Sequence, residues 1–433
     1  LVPAFTSLGA QGAAEEARAI TLESAVSAAQ RNLPSAVQAR GALRTADAQR
    51  RSAIGAYLPN LNLNAGTGRT QGAQYFQGNL VPLTGNPWSY SNGLGANLEL
   101  FDGGRRLHEL RRTSAVVEAA DVSLVANRYD IALQVKQQYY AVLAARETES
   151  AARAQLEQAE AQLQASVARV NAGAATKSDS LRSVIQVGNA QLAILTAQND
   201  VRVANAALTR LVGSDVTVTA MPADTSAVPD DSALPSADEL ERLALRGPAV
   251  SVAEANLSAA RMARRSARTQ YMPTVSMSFN YGLNEASRTF ASNNLLLFGE
   301  RAATRQTYNF NLSFPLFNGF SREQQQVTAD VAQRNAEAAA RDAQLTARQT
   351  LQQQLRALET ASARVQVQLA SIAAAEEDLR VQQQRYQLGA STVLDLLTSQ
   401  TQLNTARTAL IQARFDARIA KAQLEALIGQ DLP

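Results

Sequence analysis

The chain has no cysteine and a single histidine, His108. Disulfide frameworks, thiolate metal sites and a lipidated N-terminal cysteine are excluded, and a histidine-based metal centre has no ligands to draw on. Aromatic residues make up only 5 % of the 433, with one tryptophan, and the 46 % hydrophobic content comes largely from alanine. That balance suits thin helical rods better than a thick globular core. Net charge is +3, from 41 Lys and Arg against 38 Asp and Glu, so no bulk electrostatic case for nucleic acid exists. No run of about 18 apolar residues is present, and so no transmembrane helix is expected. No glycine-rich phosphate loop, metal-ligand spacing or nucleophile constellation occurs, so the chain reads as a non-enzyme without cofactor or metal. Its first residues, Leu1-Val2-Pro3-Ala4-Phe5, read either as the tail of a removed signal peptide or as mature sequence.

What the chain does have is a copy of itself. Arg385-Tyr386-Gln387-Leu388-Gly389-Ala390-Ser391-Thr392 matches Arg169-Val170-Asn171-Ala172-Gly173-Ala174-Ala175-Thr176 at an offset of 216 (389 − 173). Phe317-Asn318-Gly319 follows Phe101-Asp102-Gly103 at the same offset, as Leu427-Ile428-Gly429 follows Leu211-Val212-Gly213. Earlier in each half, Tyr271-Met272-Pro273 follows Tyr57-Leu58-Pro59 at 214 (273 − 59). One unit is written twice, with a two-residue difference in one loop.

Within each unit the period changes sharply. Helical spacing over Thr21 to Arg31, and again from Pro34 to about Ala56, gives way after Pro59 to strict alternation of Leu61, Leu63 and Ala65 with Asn60, Asn62 and Asn64. A Gly- and Gln-rich loop carrying Tyr75, Phe76 and Trp88 leads to a second alternating run, Leu94, Ala96, Leu98 and Leu100. The second half repeats the pair with Val275, Met277, Phe279, Tyr281 and Leu283, then Tyr308, Phe310, Leu312, Phe314 and Leu316. Four strands, each with one apolar and one polar side, carry the signature of outer-membrane barrel strands; the competing reading is two soluble hairpins on a core, for which no covering face is evident. Four strands cannot close a barrel and an open edge cannot exist in lipid, so copies must pool them: two chains give eight strands, three give twelve, and the pattern does not choose.

After Gly104 a helical period runs for about 67 residues, on the order of 100 Å, and is mirrored from Gly319 to Leu388. Leu351, Leu358, Val365, Ile372, Leu379 and Tyr386 recur every seventh position; Val135, Val142, Leu156, Leu163 and Val170 answer them in the first half. The returning helices keep the repeat through Leu396, Leu403, Leu410 and Leu424, and through Val187, Ile194, Val201 and Leu208. Such spacing predicts left-handed, coiled-coil packing. The expected organisation is an irregular segment 1–19, a first repeat 20–213, a connector 214–240, a second repeat 241–429 and a C-terminal end 430–433. In the first repeat strands fall at about 58–68 and 92–101, the long helix at about 104–171, the tip turn at 172–176 and the return helix at about 177–212. In the second they fall at about 273–284 and 306–317, with the long helix at about 319–388, the turn at 389–391 and the return helix at about 392–428. A short strand at Val216–Thr219 and a short helix from about Ser236 to Leu245 complete the reading.

This combination resembles the TolC-like outer-membrane efflux proteins. The residues carrying the resemblance are Tyr57-Leu58-Pro59 and Tyr271-Met272-Pro273 opening the strands, Leu98-Glu99-Leu100-Phe101-Asp102-Gly103-Gly104 and Phe314-Pro315-Leu316-Phe317-Asn318-Gly319 closing them, and the Gly-x-x-Thr turns at Gly173 and Gly389. It covers about Ile20 to Gly429. The resemblance implies a mixed, mostly α fold in a homotrimer, with a shared twelve-stranded β-barrel in the outer membrane of a Gram-negative bacterium and a periplasmic α-barrel of coiled-coil hairpins. It implies a passive exit duct for a tripartite efflux pump or type I secretion system. Its partners would be outer-membrane lipid, a periplasmic adaptor (membrane fusion) protein, and an inner-membrane transporter that is either a proton-driven pump or an ATP-driven exporter. The alternative from another class is a soluble periplasmic coiled-coil scaffold without a channel.

Each candidate site has a plainer reading beside it. At the turns, Gly sits at a helix C′ position, and Thr176 and Thr392 are N-caps with Asp179 and Asp395 three residues on, so both carboxylates are explained by capping alone. The functional reading makes Asp395 a ring at the narrow periplasmic end and, by resemblance, joins Asp179 and Tyr386 in a closing contact. Gly173, Ala174, Ala175, Thr176, Gly389, Ala390, Ser391 and Thr392 would then meet the adaptor. Ser391 stands where the closure pattern offers Arg, and Thr398 where a second ring Asp can sit. Trp88, Tyr75 and Phe76 read either as an interfacial girdle or as loop packing. Arginines cluster where helices meet strands, Arg105, Arg106, Arg264, Arg265 and Arg322 among them, and read either as a solvated face or as phosphate-seeking groups at the membrane interface. Glu99 and Asp102 are expected to face a watery lumen.

Overall fold

The computed structural model describes residues 17–69, 71–76, 78–82, 88–173, 175–222, 235–286 and 303–432. In order these form β1 (Arg18–Ile20), α1 (Leu22–Asn32), α2 (Pro34–Gly55), β2 (Asn60–Arg69), β3 (Ala73–Phe76), β4 (Asn79–Pro82), β5 (Trp88–Phe101), α3 (Arg105–Asn171) and α4 (Lys177–Val212). They continue as β6 (Val218–Ala220), α5 (Ala237–Ala244), α6 (Pro248–Arg268), β7 (Thr274–Ala286), β8 (Ala303–Ser313), α7 (Ser321–Gln387) and α8 (Val393–Ile428). The long helices α3 and α7 each have 67 residues, and α4 and α8 each have 36. Two compact units result, one from the described parts of residues 1–41, 121–252 and 341–433, the other from 42–120 and 253–340.

The second of these units carries a four-stranded sheet in the order β2-β5-β7-β8, antiparallel throughout. Its register decides which residues share a face. Leu61 lies opposite Ala96, Ala96 opposite Phe279, and Phe279 opposite Tyr308; Leu63, Leu94 and Tyr281 form a second row, Leu98, Met277 and Phe310 a third. Alternation therefore sums across strands to one apolar face. The other face runs Asn60, Asn97, Ser278 and Asn309, and beside it Asn62, Gly95, Asn280 and Thr307. A Cβ at Gly95 would stand 2.6 Å from the Asn62 side-chain oxygen, so any larger residue there would turn the Asn62 amide aside. Among the described residues nothing covers the apolar face: Leu61 is 66 % and Leu312 69 % exposed, with Phe279 partly so. The soluble-hairpin reading fails on that observation. Strand bounds differ locally from the alternation: β8 stops at Ser313, short of the 317 expected, and β5 begins at Trp88. The loop between β2 and β5 contains the β3–β4 hairpin.

In the helical unit, β1 pairs in parallel with β6, Ala19 opposite Thr219, so the segment read as irregular is ordered at its end by the connector strand. The core there unites Ala25, Ala29, Ile131, Val135, Tyr139, Val142, Leu208 and Phe415. Along the second hairpin the heptad positions are the seam: Leu351, Leu358, Val365, Leu379 and Tyr386 of α7 are buried, as are Leu396, Leu403, Leu410 and Leu424 of α8. The first hairpin is different. Near its turn the buried positions are Ala152, Ala159 and Ser166 on α3 and Ser183, Ala190 and Ala197 on α4, while Leu156, Leu163, Val187 and Ile194 are only partly buried. The heptad holds, but its seam runs through the small residues, which let helices approach closely.

A partly buried ion pair ties the end of α8 to α3. Lys136 Nζ lies 2.5 Å from Glu425 and 3.1 Å from Asp431, and Glu425 also accepts the backbone N–H of Leu432. Burial pushes the Lys136 ammonium down, but the hydrogen bonds and charge of Glu425 and Asp431 outweigh it and leave its pKa above the usual 10.5. Replacing Lys136 by Met strands the carboxylate of Glu425 and should cost about 2 kcal/mol in denaturant unfolding. In the wild type the same contribution is present below pH 10.5 and should fade as pH rises through the elevated value, a loss absent from Lys136→Met.

Candidate functional site

Both helical turns are built by the same local chemistry. Gly173 and Gly389 hold φ of 74° and 75°, the left-handed conformation that ends a helix, and donate to the carbonyls of Val170 and Tyr386. Three residues later the chain re-enters a helix through a capping box. The Thr176 hydroxyl accepts from the Asp179 amide and the Asp179 carboxylate accepts from the Thr176 amide at 3.0 Å; Thr392 and Asp395 repeat this, at 2.9 Å for the second bond. Hydrogen bonds from the Thr392 hydroxyl and amide, with the Arg385 charge, hold the Asp395 carboxyl below the usual range. Asp395 is exposed and ionised, and Asp179 is partly buried. Ala174 lies outside the described residues, while Ala175, Ala390 and Ser391 occupy the turns themselves.

Tyr386 and Asp179 are not joined within the chain. Tyr386 is 9 % exposed and its phenol Oη has no hydrogen-bond partner among the described residues. The carboxylate of Asp179 is engaged by Thr176. What Tyr386 does meet is Arg169, from the last turn of α3. That guanidinium lies 4.5 Å from the ring centroid and donates from Nη1 to the Tyr386 carbonyl at 2.8 Å. Arg169 is thus a site residue that sequence reasoning missed. The signal was present, since Arg169 precedes Gly173 by the same four residues that separate Arg385 from Gly389. Its partner is fixed by packing.

At the strand–helix junctions most of the arginines are spoken for. Arg105 pairs with Glu99. Arg106 donates its Nε to Asp102 at 2.8 Å and stacks 5.0 Å over Tyr57. Arg264 meets Asp330 at 2.8 Å and Gln333 at 3.3 Å. Arg265 is exposed, with only the Met262 sulfur at 4.0 Å. Asp102 does not face a lumen. It is buried at 5 %; burial pushes its carboxyl up, and the hydrogen bonds and charge of Arg106 more than offset that, holding it below the usual value. Trp88 opens β5 and Tyr75 and Phe76 lie in β3, but their side chains fall outside the described residues.

Comparison with known proteins places this architecture. The family model described as Outer membrane efflux protein matches residues 25–214 and 240–430. The pyoverdine export outer membrane protein OpmQ of Pseudomonas aeruginosa is 28 % identical over 357 residues, covering 79 % of this chain and 69 % of its own. Among solved structures, the outer membrane protein VceC of Vibrio cholerae superposes with a TM-score of 0.77 at 18 % identity, over 95 % of this chain and 97 % of that one. The open state of the Neisseria gonorrhoeae MtrE outer membrane channel gives 0.75 at 21 %, over 95 % and 89 %. These findings overturn the soluble-scaffold alternative. Two strand pairs with an uncovered apolar face, two long helical hairpins and a family match over both halves leave one assignment: the chain belongs to the outer membrane efflux protein family, TolC-like channels, not enzymes, that sit in the outer membrane and extend into the periplasm.

Proposed function

We propose that this chain forms a trimeric outer-membrane channel-tunnel, a passive exit duct for a tripartite efflux pump or a type I secretion system, gated at its periplasmic helical tip. The observation that carries the reading is the sheet: four strands with an exposed apolar face and, among the described residues, unpaired outer edges at β2 and β8. In hydrocarbon those edges demand partners, and further copies of the chain supply them. Three copies are favoured over two because an eight-stranded barrel is filled by its own side chains, whereas the inward face here is Asn, Ser, Thr and Gly, suited to water. Twelve strands leave a lumen. Along α4, Leu181, Val184, Ile185, Leu192 and Leu195 are exposed at helical spacing, an apolar stripe that a neighbouring helix of the α-barrel would cover.

At the tip, a closing contact would form between Tyr386, whose hydroxyl has no acceptor among the described residues, and Asp179 of a neighbouring copy. The hydroxyl is buried within the single chain, so the contact requires the Tyr386 side chain to turn outward from Arg169. Three copies of the ionised Asp395 would ring the pore. The turns Gly173–Thr176 and Gly389–Thr392 would dock the periplasmic adaptor, which connects the duct to the inner-membrane transporter. Opening would swing the inner hairpins outward and needs no chemistry. The pyoverdine export assigned to OpmQ fits an export role of this kind.

The protein is expected to leave outer membranes only in detergent and to run as a heat-modifiable trimer; a freely soluble monomer or dimer would sink the duct. Asp179→Ala combined with Tyr386→Phe should raise single-channel conductance in planar bilayers severalfold, and unchanged conductance would remove the gate assignment. Divalent cations should lower the wild-type conductance and leave Asp395→Ala unaffected. An identical response in both proteins would refute the ring.

A further inference from the structure

The two junctions where a strand hands over to a long helix are built alike and charged differently. In the first half, Arg106 stacks over Tyr57, reaches the carbonyls of Leu100 at 3.4 Å and Ala56 at 3.5 Å, and gives its Nε to Asp102. Asp102 also accepts the backbone N–H of Gly104 at 3.1 Å and of Arg106 at 2.9 Å, so one carboxylate answers both the guanidinium and the start of α3. In the second half Arg322 stands 216 residues on (322 − 106), 4.8 Å over Tyr271, donating to the carbonyls of Pro315 at 2.8 Å and Leu316 at 3.1 Å. The counterpart of Asp102 is Asn318, whose side chain is exposed. Arg322 itself is only 9 % exposed. Among the described residues it has no ion pair, its Nε has no acceptor, and the amides of Phe320 and Arg322 have no side chain to donate to. A buried guanidinium without a counter-ion is unfavourable, and the first half displays what satisfies it, an oxyanion at Nε and the helix N-terminus.

The surface around Arg322 is apolar and strained. Leu316, Phe317 and Phe320 are each at least two-thirds exposed. Phe320 holds φ of 63° at the position where the first half has Gly104, a conformation that disfavours a bulky side chain. Its ring stands edge-on to Phe317 at 5.4 Å. Tyr308, Phe310 and Leu312 of β8 are exposed on the apolar face of the sheet, and beyond the end of the strand at Ser313 the residues Phe314, Leu316 and Phe317 are exposed as well.

We propose that Arg322 and the first turn of α7 bind the phosphate of a membrane phospholipid whose acyl chains lie over Leu316, Phe317 and Phe320, one lipid per chain and in the second half only. Nε of Arg322 is buried in the lipid-free chain, so binding shifts the exposed Phe317–Phe320 turn to open the place that the Asp102 carboxylate fills in the first half, and the strained Phe320 then lies against lipid.

Native mass spectrometry of the detergent-solubilised full chain, titrated with phosphatidylglycerol, tests this. The wild type should retain one lipid per chain. Asn318→Asp, an exposed position where the change supplies an internal carboxylate without disturbing the fold, should weaken retention about tenfold, as should Arg322→Gln. Phe320→Gly should weaken phosphatidylglycerol without affecting any binding of inorganic phosphate. Retention by Asn318→Asp equal to wild type would overturn the proposal. So would competition by inorganic phosphate at the lipid's own concentration, which would mark a free-anion site. A wild type that holds no lipid, with Asn318→Asp melting at a higher temperature whether or not lipid is added, would likewise overturn it, by showing that a carboxylate of a second copy answers Arg322.

Discussion

Hydrocarbon offers a strand edge no hydrogen-bond partner and an apolar face no reason to hide, and the rest of this molecule follows from that pair of conditions. The sheet β2-β5-β7-β8 has its backbone satisfied internally at three pairings and open at two edges. Its apolar rows are exposed and its polar rows are lined by amides and hydroxyls, with Gly95 facing the Asn62 amide. A sheet of this kind is incomplete alone in either solvent. The chain leaves helical surface unpartnered too, in the stripe from Leu181 to Leu195, so both units expose what a neighbouring copy is proposed to cover.

Elements of equal length recur in the two halves, α3 with α7 and α4 with α8, and the halves differ in how they pack. Near its turn the second hairpin closes on Leu, Val and Tyr, the first on Ala and Ser. Large side chains hold a hairpin by burial and small ones let helices run close. The junctions diverge in charge: Asp102 neutralises Arg106, whereas Asn318 leaves Arg322 to the carbonyls of Pro315 and Leu316. With Asn318 where the first half has Asp102, Arg322 is a buried guanidinium without an ion pair among the described residues.

At the tip, local and long-range chemistry coexist in a few residues. The capping boxes are complete within four residues each and account for both aspartates without reference to any pore. Tyr386 is the opposite case. Its carbonyl is shared between Gly389 and Arg169, its ring is covered by a guanidinium from the other hairpin, and its hydroxyl is left over. That buried hydroxyl, like the Nε of Arg169, has no partner among the described residues.

The sequence by itself determined what depends on neighbours a few residues apart. The alternation at Leu61 to Ala65 and Tyr308 to Leu312 specified strands, the seven-residue spacing from Leu351 to Tyr386 specified the second seam, and Gly389 with Thr392 and Asp395 specified the turn, because period, φ and capping are local properties. Tertiary structure decided what depends on which elements meet. It set the strand order that merges two half-sheets into one face, the small-residue seam of the first hairpin, the pairing of β1 with β6, the burial of Asp102 under Arg106, and the seat of Arg169 on Tyr386. Apart from the Asp102–Arg106 pair, four residues apart and decided by burial, each of these brings together residues far apart in the chain, where no periodicity reaches and only packing and charge select the partner.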